Sequence, residues 1–159
     1  MRSVLAIVYL FVTVAWLVAL VAAPYAATHH GPDTATFRAV GAVYALGSVV
    51  CHQLARRSFH LWGVQLPVCA RCTGLYTGAA FGALLTFVGG LSRPTPKPHW
   101  GGYSAARTAV VMSALPTLCL IAADLIGAAE PSGLARAGAA LPLGATVSWV
   151  VGLTLQGRL

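Results

Sequence analysis

Residues 51–74 read CHQLARRSFHLWGVQLPVCARCTG, and this stretch lies between two apolar runs of the chain. It contains three of the four cysteines, two of the five histidines and three of the ten Lys and Arg residues. Almost everything on either side of it is apolar. The stretch therefore predicts a loop that carries the chemistry of the protein, held between helices formed by the flanking sequence.

The composition indicates that lipid surrounds much of this chain. Hydrophobic residues make up 58% of the 159 residues and charged residues 8%, whereas soluble domains average about 45–50% and about 25%. A water-soluble domain of this size needs more polar surface to cover its core. The net charge of +7 comes from basic residues between apolar runs, which favours membrane lipid as their partner. We expect no nucleic-acid partner, because no RNA- or DNA-binding motif accompanies these residues.

Five apolar segments predict membrane helices. A bilayer core of about 30 Å requires roughly 20 helical residues, and four of the segments reach that length. The second segment is shorter, which is consistent with a tilted or partial span. The segments cover residues 4–23, 37–50, 73–91, 108–128 and 134–155. We therefore predict an all-α polytopic membrane bundle of about five transmembrane helices, a single integral membrane domain over residues 1–159, with the Cys/His/Arg loop between helices 2 and 3.

Small residues recur within the third segment at a spacing that favours helix packing. Gly74, Gly78 and Gly82 are four residues apart, so they lie on one face of a helix. Such a face allows the backbones of two membrane helices to approach closely. We expect it to pack against a neighbouring helix.

Alternation of the five spans predicts which polar residues share a side of the membrane. If every segment crosses, the loop lies on the same side as the N-terminal end of the first segment. Asp124, Glu130 and Arg136 reach that side as well. The basic residues divide five against five between the two sides, so the positive-inside rule does not decide the orientation. Arg2, ahead of the first segment, favours a cytoplasmic loop in a multi-pass protein of the cell membrane.

Cysteine and histidine residues of the loop have the spacing of a metal site. Cys69 and Cys72 form a C-x-x-C motif at the start of a predicted helix, where free N–H groups and the adjacent Arg71 stabilise thiolates. Together with Cys51 and one loop histidine they would form a Cys3His set, which suits tetrahedral zinc or another thiophilic metal. The predicted ligands are Cys51, His52, Cys69 and Cys72, with His60 as the alternative histidine. Thiol redox chemistry and inert or disulfide-bonded cysteines are the other interpretations.

The fourth cysteine has a different setting. Cys119 lies deep within the fourth apolar segment, far in sequence from the loop. We expect it to be a small buried hydrophobe, as free cysteines often are.

Charged residues near the loop are candidate catalytic and anion-binding groups. Asp124 is the only carboxylate within a predicted span, and such a group is by default a functional candidate with a partner. We predict catalytic roles for Asp124 and Arg71, with the aspartate as a general base or a metal-linked carboxylate. A structural ion pair is the alternative. Because guanidinium groups suit phosphate and carboxylate, Arg56, Arg57 and Arg136 are predicted to bind an anionic amphiphilic substrate.

The motifs of the loop resemble those of a known family. CHQ, RSF and PVCARCTG are similar to the signature of small multi-pass microbial membrane proteins catalogued as domain of unknown function 2085. The resemblance is close over residues 51–78 and looser at residues 115–116, Asp124 and Arg136. In the family, glycine and glutamine tend to follow the aspartate, whereas residues 125 and 126 are leucine and isoleucine here. The resemblance implies an integral membrane protein and implies no particular activity.

Three functions are consistent with these features. The first is a metal-dependent enzyme or binder, with a zinc site at the membrane interface, that acts on an anionic amphiphile. The second is a membrane thiol–disulfide oxidoreductase in which Cys69 and Cys72 cycle and Cys51 is the resolving thiol. The third is a non-catalytic membrane scaffold whose loop only caps the bundle. The residues alone do not decide whether the protein is an enzyme.

Overall fold

The structure of the protein is a computed structural model that describes residues 2–29, 34–92 and 100–158. Within these residues the chain forms five α-helices and one β-hairpin. The helices are α1 (Arg2–His29), α2 (Thr34–Val50), α3 (Ala70–Ser92), α4 (Trp100–Leu125) and α5 (Gly133–Leu155). All except α2 are long and apolar enough to cross a membrane, and α2 is a shorter apolar helix. The predicted all-α membrane bundle is confirmed.

The connection between α2 and α3 contains a hairpin that the sequence analysis did not predict. A short 3₁₀ turn, Ala55–Arg57, leads into β1 (Ser58–Leu61), which pairs antiparallel with β2 (Val64–Cys69). The two turn residues have positive φ angles, 52° at Trp62 and 80° at Gly63, as a two-residue type I′ hairpin turn requires. The hairpin folds the loop back on itself and brings the end of β2 to the start of α3.

Helices α3 and α5 form the most extensive helix pair in the described bundle. A Cβ atom added to Gly78 would collide with backbone atoms of Leu141 and Ala145. Gly144 on α5 is equally close to the backbone of Leu75 on α3. The glycines of α3 that face α5 are Gly74, Gly78 and Gly82. The predicted role of this face in close helix packing is confirmed.

Contacts along α1 show that it runs antiparallel to α3. The Tyr9 hydroxyl donates to Ser148 Oγ at 2.9 Å, and Ser148 Oγ donates to the carbonyl of Ala79 at 2.6 Å. Farther along α1, Trp16 packs edge-on against Tyr76, with 5.9 Å between ring centroids. Residue numbers rise along α1 while those of its partners in α3 fall. The C-terminal part of α1 therefore lies beside the start of α3.

The hairpin lies at the end of the bundle where α1 finishes. Leu20 of α1 forms a buried cluster with Cys51, which precedes the hairpin, and with Val68 in β2. Nearer the end of α1, Tyr25 packs edge-on against Trp62 at the hairpin tip, with centroids 5.2 Å apart. The hairpin is thus at the opposite end of the bundle from the N-terminal end of α1.

This position corrects the prediction that the loop shares a side with the N-terminal end of α1. The prediction assumed that the second apolar segment crosses the membrane. Instead, residues 36–43 of α2 lie against residues 19–26 of α1, and Cys51, directly after α2, packs on Leu20. Both ends of α2 therefore stay beside the C-terminal third of α1. The second apolar segment therefore stays at the hairpin end of the bundle.

The environment of Cys119 also differs from the prediction. Its side chain is exposed on α4, so the expectation of a buried position is wrong. Helix α4 contacts mainly α5, and Thr117 Oγ1 donates to the carbonyl of Ala139 at 2.8 Å on that side. Much of the remaining α4 surface faces the surroundings, which are lipid for a membrane helix.

Candidate metal centre

Three cysteines from three different elements meet beside the hairpin. The Sγ atoms of Cys51, Cys69 and Cys72 all lie within 4.8 Å of one another. Cys51 follows α2, Cys69 ends β2 and Cys72 lies in the first turn of α3. All three are free thiols; the first is buried and the other two are half-buried. Three free thiols this close together could hold one metal ion, so the predicted cysteine ligands are brought together.

The structure places neither loop histidine in this group. Within the described residues, the ligand atoms that converge here belong to cysteines only. His52 is exposed and lies on the wall of an adjoining cleft. His60 is exposed in β1, opposite Gln65. Because the chain leaves the helical conformation after α2, consecutive side chains diverge, and Cys51 enters the group while His52 does not. Ligation by His52 stays a prediction.

Hydrogen bonds reach two of the sulfurs, and those to Cys69 favour its thiolate. The backbone N–H groups of Gln53 and Cys69 point at Cys51 Sγ, at 3.5 and 3.1 Å. A hydrogen bond from the Cys72 thiol is the largest cause that lowers the pKa of Cys69, to about 5, and it outweighs the effect of burial, which raises the pKa. The backbone N–H groups of Cys72 and Arg71 and the Cys51 thiol also lower it. Metal ligands of this type must be deprotonated, so the surroundings of Cys69 suit a metal ion.

Two half-buried amides hold the cysteine-bearing segments together. The Nε2 atom of Gln53 donates to the carbonyls of Tyr44, at 2.8 Å, and Pro67, at 2.7 Å. The Nε2 atom of Gln65 donates to the carbonyl of Gln53 at 2.6 Å. These bonds fix the segment after Cys51 against β2. Sequence reasoning missed both residues, although an amide beside the first cysteine and another before the C-x-x-C motif were visible signals.

A carboxylate joins the hairpin to α4 and α5. Arg136, which is only 7% exposed, binds Asp124 in a bidentate pair with N–O distances of 2.9 and 3.2 Å. Its Nε atom donates to the carbonyl of Pro131 at 2.9 Å. Arg57 in the loop contacts the same carboxylate at 3.1 Å. The loop converges with Asp124 and Arg136 as predicted, and Asp124 forms the structural ion pair that was the alternative interpretation. A catalytic role for Asp124 stays a prediction.

A cleft of about 390 Å³ adjoins the cysteine group. Thiol, imidazole, guanidinium and apolar groups line it: Val50, Cys51, His52, Gln53, Leu54, Arg57, Cys69, Arg71 and Cys72. Arg71, a predicted catalytic residue, and Arg57 are therefore both in position to contact a ligand there. Arg56, predicted to bind an anion, is exposed in the 3₁₀ turn and is not among the lining residues. The functional roles of these arginines stay predictions.

Comparison with known proteins identifies the family. Residues 51–150 match the family described as Predicted membrane protein (DUF2085). The chain belongs to this family. The matched region of this DUF2085 protein begins at Cys51 and includes the hairpin, the C-x-x-C motif, Asp124 and Arg136. The resemblance noted in the sequence is thereby confirmed.

Two relatives of the DUF2085 protein come from methanogenic archaea. An uncharacterized protein of Methanocaldococcus jannaschii is 46% identical over 43 residues, which is 27% of this chain and 28% of the relative. An uncharacterized protein of Methanothermobacter thermautotrophicus is 30% identical over 96 residues, 60% of this chain and 78% of the relative. The chain thus covers less than a third of the first relative's length. No solved structure matches, so the function must be argued from the site.

Proposed function

We propose that this DUF2085 protein binds one zinc ion, or another thiophilic metal ion, through Cys51, Cys69 and Cys72. The observation that carries the proposal is the convergence of these three Sγ atoms within 4.8 Å from three separate elements. Three protein ligands leave one position of a tetrahedral ion for a further group. His52 in that position would make the site structural, whereas solvent there would supply an activated water.

Elemental analysis of the purified protein under reducing conditions tests this proposal. We expect about one zinc ion per chain, and the same content in Cys119→Ser, a matched variant whose cysteine is exposed on α4. Cys51→Ser and Cys69→Ser should bind zinc at least about 100-fold more weakly, because losing even a group that only supports a ligand costs about 10–100-fold. Metal-free wild-type protein, or full zinc content in Cys69→Ser, would contradict the proposal.

The cysteine geometry also supports a second candidate, thiol–disulfide exchange. Cys69 has a lowered pKa and two thiols within 4.8 Å, so a thiolate and its resolving partners are already together. Oxidation of Cys69 and Cys72 would remove two hydrogen atoms and form one disulfide, with the electrons passing to an external disulfide or quinone. Alkylation trapping in cells distinguishes the candidates, since a redox protein should show both oxidised and reduced forms. Thiols that remain fully reduced under every growth condition would exclude this candidate.

The surroundings of the metal centre support an anionic amphiphile as its ligand. Guanidinium groups of Arg57 and Arg71 share the cleft with the apolar side chains of Val50 and Leu54. The first pair suits an acidic headgroup, and the second suits an apolar chain. We therefore keep an anionic amphiphile as the proposed ligand and the membrane lipid as its source.

The basic residue that begins the first helix supports an orientation. Arg2 is the first residue of α1, at the end of the bundle opposite the hairpin. A basic residue at the end of an apolar span favours the cytoplasmic side for that end. We propose that the metal centre faces the extracytoplasmic side. The prediction of a cytoplasmic loop assumed that the loop and Arg2 lie on the same side of the membrane, whereas the fold places them at opposite ends of the bundle.

Labelling of intact cells with a membrane-impermeant maleimide tests this orientation. His60 at the hairpin and Tyr103 near the start of α4 are both exposed, and they lie at opposite ends of the bundle. We expect His60→Cys to react in intact cells and Tyr103→Cys to react only after permeabilisation, with wild-type protein as the background. The reverse pattern would place the metal centre in the cytoplasm.

A further inference from the structure

Two guanidinium N–H groups of the cleft lack a partner. Arg57 Nε and Arg71 Nη2 are buried, and neither meets a hydrogen-bond acceptor among the residues that the structure describes. A buried donor left unpaired is unfavourable, more so when it is charged. Native structures contain few such groups, and an ion or ligand is one of the usual reasons for one. Two on the same cleft point to an acceptor that is not part of the chain.

The charge around the cleft favours an anion even when a metal ion is bound. Arg57, Arg71 and Arg136 contribute three positive charges and Asp124 one negative charge, so 3 − 1 leaves +2. Three thiolates with one divalent cation would add −3 + 2, or −1. The net charge around the metal-loaded cleft would therefore be +1. In a site partly shielded from water, this excess attracts an anion more strongly than it would in bulk solvent.

Part of the cleft wall is apolar and exposed. Val50 and Leu54 line the cleft, and their side chains are 59% and 44% exposed. The cysteine group packs against Leu20, within the apolar run of α1 that is long enough to span a bilayer. The cleft is therefore at the level of the membrane interface, where a lipid headgroup and the start of its chain can enter from the side.

We propose that the cleft binds the phosphate monoester headgroup of an amphiphile, held by Arg71 and Arg57, with its apolar chain beside Val50 and Leu54. The inference rests on the proposed metal centre, whose open position would accept a third oxygen. A phosphate monoester has three terminal oxygens, enough for two guanidinium groups and one metal ion, whereas a carboxylate or a phosphodiester has two. Guanidinium groups match phosphate oxygens in geometry as well as in charge.

Titration of the zinc-loaded protein in uncharged detergent with three probes tests the inference. The probes are dioleoyl phosphatidic acid, dioleoyl phosphatidylglycerol and inorganic phosphate. We expect phosphatidic acid to bind at least about 10-fold more tightly than either other probe. Arg71→Gln should weaken its binding about 10–100-fold, because one charged hydrogen-bonding partner is lost. Arg56→Gln is the matched control, since Arg56 is exposed and outside the cleft.

Zinc content measured on the same samples separates the inference from the metal proposal. Full zinc content without phosphatidic acid binding, or equal weakening by Arg56→Gln and Arg71→Gln, would overturn the inference and leave the metal centre in place. Inorganic phosphate that binds as tightly as the lipid would overturn the amphiphile assignment. Zinc-free protein with Arg71-dependent lipid binding would refute the metal centre and support the arginine contacts.

The conservative variant excludes a purely structural effect at Arg71. Arg71→Lys keeps the charge and loses the planar fork, so its affinity for phosphatidic acid should lie between those of wild type and Arg71→Gln. Both variants should retain zinc and elute as wild type does in size-exclusion chromatography. Variants that retain zinc and bind phosphatidic acid as wild type does would overturn the inference.

Discussion

Leucine in place of Gly78 should prevent α3 from packing against α5, whereas leucine in place of Gly89 on the same helix should be tolerated. A side chain at position 78 would collide with backbone atoms of Leu141 and Ala145. Backbone atoms cannot rotate away as side chains do, so the helices must separate. A Cβ atom added at position 89 would meet nothing within 4 Å. The two variants add the same apolar volume to one helix, so only the contact differs.

Thermal unfolding in detergent and size-exclusion chromatography measure this difference. Overpacking a well-packed core costs about 1–3 kcal/mol and sometimes more, which for a chain of this size lowers the Tm by about 2–12 °C. We expect Gly78→Ala to fall in that range and Gly78→Leu to yield little folded protein. Gly89→Leu should unfold within about 2 °C of wild type, as surface changes usually do. Equal unfolding temperatures for Gly78→Leu and Gly89→Leu would show that α3 and α5 do not approach as the structure has them.

Asparagine in place of Asp124 should destabilise the protein and release the hairpin. The change removes the carboxylate that binds both Arg136 and Arg57. Arg136 is only 7% exposed, and a buried charge without its partner is strongly unfavourable. We expect the Tm to fall by more than about 5 °C. Because Arg57 is also the link from the loop to α4, amide exchange in the hairpin should become faster.

Glu130→Gln is the matched control for this carboxylate. Glu130 is an exposed residue in the connection between α4 and α5, so its loss should change the Tm by no more than about 2 °C. Amide exchange should remain as in wild type. If Asp124→Asn were as stable as Glu130→Gln and its hairpin equally protected, the ion-pair network would not hold the loop to the bundle.

Local sequence patterns predicted the helices well, because the formation of a membrane helix depends on few long-range contacts. A long apolar run in lipid must satisfy its backbone groups internally, and a helix does so within the segment itself. The third apolar segment, residues 73–91, became α3 (Ala70–Ser92). The glycine face within it was readable for the same reason, because residues four apart share a face in any α-helix.

The hairpin and the path of α2 were not predictable from local patterns. The turn places Trp62 at a positive φ angle, a conformation that is uncommon outside glycine, asparagine and aspartate, so no turn signal preceded Gly63. An apolar helix of 17 residues spans about 26 Å, close to the thickness of a bilayer core. Only its contacts with the C-terminal third of α1 show that it stays at the hairpin end of the bundle.

The sequence by itself determined that this protein belongs in a membrane and which residue types form its site, because composition and spacing carry that information. Tertiary structure decided which of those residues meet. Cys51 joins Cys69 and Cys72, while His52 lies outside the group. Asp124 forms ion pairs with Arg57 and Arg136 but not with Arg56, the neighbour of Arg57 in the sequence. It also decided at which end of the bundle the site lies. These outcomes depend on contacts between distant segments, which follow from the position of α2 beside α1 and from the fold of the hairpin.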